Sequence, residues 1–517
     1  MLSSASEQTE LPAAGGPSSS FHGRYLSLVA CIERQFPVAG WRCEDVDLWP
    51  IARMALYLDM FWAQSGSTPP APRAWPLRAA ARLATPFTNA WKSRHDRTHC
   101  LTQATSAYAI VLGDGVCLDR VEGSWQDRFA EPLIDALDRQ GKTTFVMQQG
   151  ALARLPWRRP TYSVNRLAAA GSALAKLRAR PVTLRGHADL LAFLASHGIP
   201  APSLQAARLA WRARQAEAIA GLFQRTLQRV RPTLAFVVTY YAGLGAAFLA
   251  ACRREHILSI DLQHCPQEGA HKAYRYDSLP AQGYSTLPAL FWNWTGEDAA
   301  RIDGWTHALS PPWHRSVHGG HTQLDALLDD DRPQARRARQ LFATAAGGRR
   351  CAREIVLALQ PMPNQWALWQ EVREQIESSP ADWRWWVRRH PAATPFQDRE
   401  CAPVLSLDRP NVLITPASEL ALPTLLREAD ALVSIASGAA LEAAALRVPA
   451  LFLSPDAQGP FQTLLAQGLA RIVAPASLNA TLCLLAPGSQ RAPQLRAAPL
   501  AQTLRHLHDM AEDYAHW

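Results

Sequence analysis

The stretch ALVSIASGAALEAAALRVPALFL, residues 431–453, decides the fold class of this 517-residue chain. An apolar run of strand length ends at Ser437 and Gly438, helix-forming alanine and leucine follow, and a second apolar run begins at Pro449. Strand, helix and strand joined by such short turns build parallel sheets. The stretch therefore predicts one βαβ unit of a Rossmann-like lobe.

The same alternation extends upstream of this unit. The further candidate strands and helices of this series are EIVLALQ (354–360), QWALWQEVREQIESS (365–379), WRWWVRRH (383–390), NVLIT (411–415) and LPTLLREA (422–429). Short connections between them fit an open parallel sheet covered by helices. We therefore expect a C-terminal Rossmann-like lobe over residues 331–517.

An earlier series has the same rhythm but a different sequence. Its candidate elements are AYAIVLG (107–113), FAEPLIDALDRQ (129–140), TTFVMQ (143–148), an amphipathic segment near 203–230, LAFVVTYY (234–241), AGLGAAFLAACRREH (242–256) and ILSIDLQ (257–263). We expect a first Rossmann-like lobe over residues 104–330. The predicted fold class is α/β, with two Rossmann-like lobes and a cleft between them.

The first hundred residues follow another pattern. Residues 1–22 are mostly small and polar, without the basic and apolar regions of a secretory signal, and predict a disordered tail. Between residues 24 and 65 apolar positions recur at three- and four-residue spacing, which is typical of helices. We expect residues 23–103 to form a helical module, either a packed cap or a contact with the inner membrane surface.

Composition narrows the function classes. The 53 Lys and Arg against 44 Asp and Glu give a net charge of +9, which suits nucleic acid, an anionic membrane or a phosphorylated substrate. The sequence has no zinc-finger spacing, RNP-like motif or long Lys/Arg block, so we expect no nucleic-acid partner. It also lacks the ~20-residue apolar run of a spanning helix. We expect a cytoplasmic protein.

The first candidate site follows the apolar strand in ILSIDLQHCPQEGAHKAY, residues 257–274. Ligands of open α/β sheets bind outside the carboxyl ends of the strands. We therefore predict that Asp261, His264 and Glu268 lie at a ligand site at this strand end, where the resemblance described below implies the acceptor side of the cleft and a general base. We expect no metal, because His264 and His271 are seven residues apart and no second pair matches them.

The second candidate site lies at strand ends of the C-terminal lobe. The segment VRRH ends a strand with side chains that neutralise a phosphate, and SIASGAALE passes from a strand into a helix whose N-terminus favours an anion. A glutamate in the first turn of this helix can accept hydrogen bonds from ribose hydroxyls. The predicted nucleotide-binding residues here are Arg388, His390, Ser434, Ser437, Gly438 and Glu442.

These two motifs, in this order in a final lobe, resemble the donor half of GT-B glycosyltransferases. More narrowly, they are similar to those of bacterial enzymes that use CMP-sugars, namely sialyltransferases and the β-Kdo transferases of capsule and O-antigen synthesis. The resemblance implies that His390, Ser434 and Ser437 hold the nucleotide and its phosphate. It also implies catalysis without a bound metal or other cofactor.

Two segments of the first lobe extend the resemblance. DLQHC (261–265) is similar to the QHG turn of capsule-polysaccharide transferases and CDP-glycerol glycerophosphotransferases, with Cys265 in place of a glycine that takes positive φ cheaply. Asp114 and Gly115 resemble the acidic, acidic, Gly base motif of CMP-sugar transferases, although Gly113 occupies its first position. A plain Asp-Gly turn is the alternative.

One position bears on the mechanism. In capsule Kdo transferases the first strand of the second lobe ends in a glutamine followed four residues later by an aspartate, the implied nucleophile of a retaining double displacement. This chain has Gln360, which we place with the nucleotide-sugar site, but Asn364 at the nucleophile position. An amide cannot replace the carboxylate. The alignment differs, or Asp261 is the nucleophile, or the enzyme inverts and needs only a base.

The resemblance implies a glycosyltransferase that moves a sugar, Kdo from CMP-Kdo as first choice, onto a lipopolysaccharide O-antigen or capsule glycan. Its partners would be a nucleotide-sugar donor, with CMP-sugars favoured, and a glycan or lipid-linked glycan acceptor. A polyol-phosphate transferase that uses CDP-glycerol or CDP-ribitol is one alternative. A non-catalytic GT-B-like scaffold or glycan-binding protein is the other.

Overall fold

Two parallel sheets organise the chain. The computed structural model describes residues 21–64, 105–121, 123–149, 156–177, 180–267, 271–307, 313–328, 333–349, 351–360, 364–390, 395–486 and 500–514. One sheet has seven strands and the other has six, and helices cover both. This arrangement confirms the predicted α/β class with two Rossmann-like lobes.

The N-terminal segment packs onto the first lobe. It contains helix α1 (Phe21–Gln35), strands β1 (Arg42–Cys43) and β2 (Val46–Asp47), and helix α2 (Trp49–Gln64). The two helices predicted between residues 24 and 65 are confirmed. Their apolar side chains share one core with the first-lobe sheet.

A buried ion pair fastens these two helices. Glu33 of α1 lies 3.0 Å from the Arg53 guanidinium of α2 and also accepts a hydrogen bond from the Asp277 backbone amide. Both side chains of the pair are 1% exposed. Removing either partner would leave a buried charge unpaired. Because Glu33 also accepts a hydrogen bond from the Asp277 amide, the pair connects α1 and α2 to the loop that follows residue 271.

The described residues of the first lobe contain ten further strands. They are β3 (Ala109–Gly113), β4 (Leu118–Val121), β5 (Ser124–Asp127), β6 (Thr144–Gln148), β7 (Thr161–Ser163), β8 (Val182–Thr183), β9 (Leu234–Val238), β10 (Leu258–Leu262), β11 (Leu290–Asn293) and β12 (Arg315–His318). Seven of them form a parallel sheet in the order β12-β11-β10-β9-β3-β6-β7. β4 and β5 form an antiparallel pair, and β8 pairs with β1.

Helices cover both faces of this sheet. They are α3 (Glu131–Arg139), α4 (Asn165–Leu177), α5 (His187–Ser196), α6 (Ala206–Val230), α7 (Gly243–Arg254) and α8 (Gly296–Thr306). Along β9, Phe236 joins the core on one face and Val237 the core on the other, as alternation in a strand requires. A strand buried on both faces reads as a continuous apolar run, which explains the sequence LAFVV.

The second lobe has its own parallel sheet. Its strands are β13 (Arg353–Ala358), β14 (Trp383–Arg388), β15 (Val412–Leu413), β16 (Ala431–Ser434), β17 (Ala450–Phe452) and β18 (Ala470–Ile472). Their order is β15-β14-β13-β16-β17-β18. The βαβ unit predicted over residues 431–453 is present as β16, a short helix and β17.

The helices of the second half continue the numbering. They are α9 (Thr322–Leu328), α10 (Pro333–Ala345), α11 (Trp366–Ser378), α12 (Pro395–Glu400), α13 (Ala402–Leu405), α14 (Thr415–Glu419), α15 (Leu422–Glu428), α16 (Ala439–Ala445), α17 (Gln462–Ala466), α18 (Leu478–Leu484) and α19 (Leu500–Tyr514). Among the described helices, none has the length and apolar composition needed to cross a membrane.

The last helix belongs to the other lobe. Leu504, Leu507 and Ala511 of α19 lie in the core of the first-lobe sheet. The sequence predicts residues 331–517 as one lobe, and the structure differs at this helix. The three- and four-residue spacing of these side chains indicates an apolar stripe, but such a stripe does not specify which sheet it covers.

Candidate functional site

Each sheet has one point where the strand order reverses. In the first lobe the chain builds outward from β3 in one direction and from β9 in the other, and in the second lobe from β13 and β16. Loops that leave such neighbouring strands diverge and open a crevice at the carboxyl ends, where α/β proteins bind ligands. The two crevices therefore locate the candidate site.

In the first lobe this crevice holds Asp114 and Thr239. Asp114 follows β3 and accepts hydrogen bonds from the side chain of Thr239, which follows β9, and from the backbone amide of Val116. Burial raises the pKa of the half-buried Asp114 carboxyl. Thr239 has a φ of +66°, which is unfavourable for a β-branched residue and is found mainly at functional sites.

His264 lies beside this pair. Its Nδ1 lies 3.2 Å from the Leu262 carbonyl oxygen and its Nε2 lies 3.0 Å from the Tyr241 hydroxyl. The carbonyl can only accept, so we assign the proton to Nδ1, and Nε2 accepts from Tyr241. Burial lowers the pKa of His264 to about 4. The ring is therefore neutral near neutral pH and has a basic nitrogen at the crevice.

Asp261 lies below the strand ends. It is fully buried in β10, where its carboxylate accepts hydrogen bonds from the Tyr274 hydroxyl at 2.8 Å and the Tyr240 amide at 3.4 Å. Burial raises its pKa to about 8. The sequence predicts Asp261 at the cleft, but in a parallel strand with both faces covered this side chain points into the core. Glu268 lies outside the described residues.

The N-terminal helices reach the same edge of the first lobe. The Lys272 ammonium lies 4.6 Å from the ring centroid of Tyr57 in α2 and 5.6 Å from that of Tyr241. Burial and the nearby Lys272 charge lower the pKa of His22 to about 4, whereas Asp456 of the second lobe acts in the opposite direction. The N-terminal segment thus forms a third wall close to the cleft.

In the second lobe the crevice is built around Gln360. The Gln360 Oε1 atom accepts a hydrogen bond of 2.6 Å from the Ala436 amide. In the same turn Ser434 Oγ accepts from the Ser437 amide, and Ser437 Oγ accepts from the Ala439 amide. Gln360 therefore fixes the loop that the sequence predicts to hold the nucleotide.

Arg388 and His390 follow β14 at the neighbouring strand end. The buried Arg388 guanidinium donates to the carbonyl oxygens of Ala417, at 2.7 Å, and Leu420. Burial lowers its pKa to about 10. His390 is half-buried, and burial together with the positive charges of Arg128 and Arg388 lowers its pKa to about 4. Arg388 is thus engaged in holding the α14 to α15 connection, while His390 is the more accessible of the two.

The two crevices face one another. A Cβ atom placed on Gly438 would lie 3.0 Å from Pro266 Cδ, in the loop that carries His264. Glu442 of α16 lies 3.3 Å from His321 Nε2, although not in hydrogen-bonding alignment. These contacts bring the predicted acceptor segment and the predicted nucleotide segment to opposite sides of one cleft.

Asn364 lies at the start of α11, away from a strand end. It is exposed and has a φ of +59°. Asparagine adopts this left-handed conformation more easily than most residues, so the turn before α11 explains its presence. The Glu400 carboxylate lies beside this turn and accepts a hydrogen bond of 3.0 Å from the Gln365 backbone amide.

Several residues of the site escape motif reasoning. Thr239, Tyr241, Arg128 and His321 occur in no motif, yet the first two line the first-lobe crevice, the third adjoins His390 and the fourth adjoins Glu442. Thr239 and Tyr241 follow the apolar run LAFVV directly, so applying the strand-end rule to every predicted strand would have identified them. Arg128 and His321 depend on how the lobes dock, which sequence spacing does not encode.

The chemistry available at the cleft is proton transfer and anion binding. The first lobe offers a carboxylate and a neutral imidazole, and the second offers hydroxyls, backbone amides and His390. Within the described ranges no group of three His, Cys, Asp or Glu side chains is arranged to hold a metal ion.

Neither a protein-family model nor a curated protein matches this chain. Among solved structures, it is similar to UDP-GlcNAc 2-epimerase from Methanocaldococcus jannaschii, with 13% identity over 78% of this chain and 99% of that chain and a TM-score of 0.47. UDP-N-acetylglucosamine 2-epimerase from Rickettsia bellii has 11% identity over 79% and 98%, with a TM-score of 0.47. The glycosyltransferase SnogD from Streptomyces nogalater has 14% identity over 80% and 96%, with a TM-score of 0.36. These likenesses are too distant to transfer an activity to this chain.

Proposed function

We propose that this protein is a nucleotide-sugar-dependent glycosyltransferase. The proposal rests on one observation, namely that the crevices of two Rossmann-like lobes meet at the contact between Gly438 and Pro266. A donor nucleotide held by one lobe and an acceptor held by the other would then have their reacting atoms close together. Such approximation suits transfer between two substrates.

The second lobe would bind the donor. Gln360 holds the loop of Ser434 and Ser437, whose amides and hydroxyls would contact the phosphate. The approaching phosphate would favour protonation of His390, which would then add a positive charge. Glu442 would bind a ribose hydroxyl from the position where it now adjoins His321. Arg388 would act indirectly by holding the loop at Ala417 and Leu420.

The first lobe would activate the acceptor. Asp114 lies at the crevice with a raised pKa, and His264 has an unprotonated Nε2 nearby. Either group can take the proton from an attacking hydroxyl, because a carboxylate and a neutral imidazole are both proton acceptors. We favour Asp114 as the general base, since Nε2 of His264 already accepts from Tyr241 and Asp261 is fully buried.

The finer assignment concerns the donor. The resemblance of the HP histidine and the serine-rich turn to CMP-sugar transferases supports a CMP-sugar, with CMP-Kdo first, and an O-antigen or capsule glycan as acceptor. A thermal-shift screen against CMP, CDP, UDP, GDP and ADP tests this, because a ligand of the folded state raises the melting temperature. A CMP preference that His390→Ala removes would support it, and a UDP or GDP preference would exclude the Kdo assignment.

The assignment of the general base is tested by measuring turnover with the donor that the screen selects. Asp114→Asn should lower turnover at least about a hundredfold while nucleotide affinity stays unchanged, as expected for loss of a general base. Asp189→Asn, which changes an exposed carboxylate of α5, is the matched control. Equal turnover in both variants would mean that the base lies elsewhere.

Two observations favour a non-catalytic alternative. The position of the expected nucleophile carries Asn364, and Asp261 is buried away from the cleft. A scaffold or glycan-binding protein would bind an oligosaccharide without consuming any nucleotide-sugar. If the purified protein binds a surface glycan but neither hydrolyses nor transfers from the donors above, this alternative replaces the enzyme. Release of CMP from CDP-glycerol would indicate the polyol-phosphate transferase instead.

A further inference from the structure

A cavity of about 620 Å³ lies between the two lobes. Its walls are the β4–β5 hairpin, α3, α9, α10 and the connection from α14 to α15, so both lobes contribute. Arg128 lines it and also lies 3.0 Å from Asp119, which in turn lies 3.8 Å from Arg388. The volume is in the range of small-molecule sites, roughly 300–1,000 Å³.

Arginines outnumber carboxylates in the described lining of this cavity, by five to three. Two of its arginines already have carboxylate partners, Arg128 with Asp119 and Arg158 with Glu131. Arg120 and Arg139 are exposed, and within the described part of the chain each contacts only a backbone carbonyl oxygen, of Gly123 and Asp135 respectively. Their guanidinium groups can therefore bind an added anion without breaking an ion pair.

The apolar part of the lining is aliphatic. Val121, Leu327, Leu341 and Leu420 contribute to it together with alanine and proline, beside polar side chains such as Gln323, and no aromatic side chain is among the described lining residues. Sugar rings and nucleobases are usually held by stacking on aromatic rings, which this cavity lacks. Flexible alkyl groups need only apolar area, at about 25 cal/mol per Å² buried.

We propose that this cavity binds an anionic amphiphile, that is, an aliphatic chain that ends in a phosphate or a carboxylate. The chain would lie against Leu327 and Leu420, and the anion would meet Arg120 and Arg139 at the mouth. The cavity shares Arg128 with the surroundings of His390, but ligand binding there does not depend on the proposed glycosyltransferase activity. Because its walls come from both lobes, its ligand would also hold the lobes together.

Isothermal titration of the full-length protein with octyl phosphate, below its micelle-forming concentration and without nucleotide, tests the proposal. We expect octyl phosphate to bind at least about tenfold more tightly than octyl glucoside or inorganic phosphate, because only octyl phosphate has both the chain and the charge. A parallel titration with octanoate identifies the head group. Octyl phosphate and octanoate are both anionic amphiphiles, so preference for either supports the site.

Variants then place the ligand. The double change Arg120→Ala and Arg139→Ala should weaken octyl phosphate binding about tenfold or more. Leu327→Gln should weaken it by a similar factor, because it removes apolar contact with the alkyl chain of the ligand. Arg225→Ala, an exposed arginine of α6, is the matched control. Melting curves verify that each variant folds. Equal binding of octyl glucoside, or unchanged affinity in the double variant or in Leu327→Gln, would overturn the proposal.

Discussion

Gly438 of the second lobe lies close to Pro266 of the first and leaves little room for a methyl group at residue 438. A Cβ at residue 438 would lie 3.0 Å from Pro266 Cδ, closer than nearly all Cβ contacts. The φ of Gly438 is −57°, which every residue can adopt. The close approach of the two lobes, and not the backbone conformation, therefore favours glycine at this position.

Substitution of Gly438 should separate the lobes without unfolding either one. Gly438→Val forces the added side chain against Pro266, and such overpacking costs about 1–3 kcal/mol. We expect a lower melting temperature and weaker nucleotide-sugar turnover. Gly296→Val is the control, since a Cβ there meets nothing within 4 Å. A Gly438→Val protein with unchanged melting temperature and turnover would show that the lobes do not touch at this position in solution.

Two substitutions of Gln360 distinguish its structural role from the effect of a charge at this position. Gln360→Leu leaves the Ala436 amide without its acceptor, which costs about 1–3 kcal/mol and should lower both thermal stability and nucleotide affinity. Gln360→Glu keeps an acceptor but adds a negative charge beside the proposed phosphate. We expect it to preserve the melting temperature while weakening nucleotide binding in isothermal titration. Gln467→Leu, at an exposed position, controls for the loss of an amide.

If Gln360→Glu binds the nucleotide as well as the wild type, the phosphate does not lie near this loop. If Gln360→Leu keeps full stability, the hydrogen bond to Ala436 contributes little.

The alternating pattern was sufficient to predict these lobes and the strand ends that matter. Gln360 and Ser434 could be placed at a crevice because apolar runs of strand length end beside them and parallel strands present their carboxyl ends together. The short helix after Ser437 was predicted from its alanine-rich sequence. These features depend on contacts that are local in sequence or on the regular geometry of sheets.

Placement within three dimensions was harder to predict. Asp261 has the residue type of a catalytic group, but its strand has both faces covered, and only the packed structure reveals that Tyr240 and Tyr274 enclose it. Arg388 likewise reads as a phosphate ligand until its carbonyl partners, 29 and 32 residues away, are known. The packing of α19 on the first lobe was hard to predict for the same reason, because the apolar stripe of a helix does not specify which sheet it covers.

The raised pKa of Asp261 should make the stability of the folded protein depend on pH. Its pKa of about 8 in the folded state exceeds its ordinary value of 3.8, so between these values the folded protein binds more protons at this site than the unfolded chain. The contribution of Asp261 to stability therefore falls as the pH rises through this window. Asp261→Asn should gain stability relative to wild type from pH 3.8 to about 8, by up to a few kcal/mol.

Urea denaturation of both proteins across this pH series measures the effect. Asp189→Asn controls for the removal of a carboxylate at an exposed position. A constant difference between Asp261→Asn and wild type at every pH would mean that the Asp261 carboxylate is already charged in the folded protein.

His390 should couple nucleotide binding to proton uptake. Burial and the positive charges of Arg128 and Arg388 lower its pKa to about 4, so the imidazole of the free protein is neutral near neutral pH. A phosphate bound beside it would favour the charged form and raise this pKa. Binding would then take up a fraction of a proton, and affinity would increase as the pH falls. Isothermal titration of CMP in two buffers of different ionisation enthalpy measures that fraction.

The phosphate of CMP also titrates, with a pKa near 6, so His390→Asn is the necessary comparison. This variant keeps a hydrogen-bonding side chain but cannot be protonated, and proton uptake that comes from the phosphate persists in it. We expect the wild type to take up more protons than His390→Asn and to lose more affinity between mildly acidic and neutral pH. Equal proton uptake by the two proteins would place the phosphate away from His390 and leave the Ser434 loop as its only remaining proposed contact.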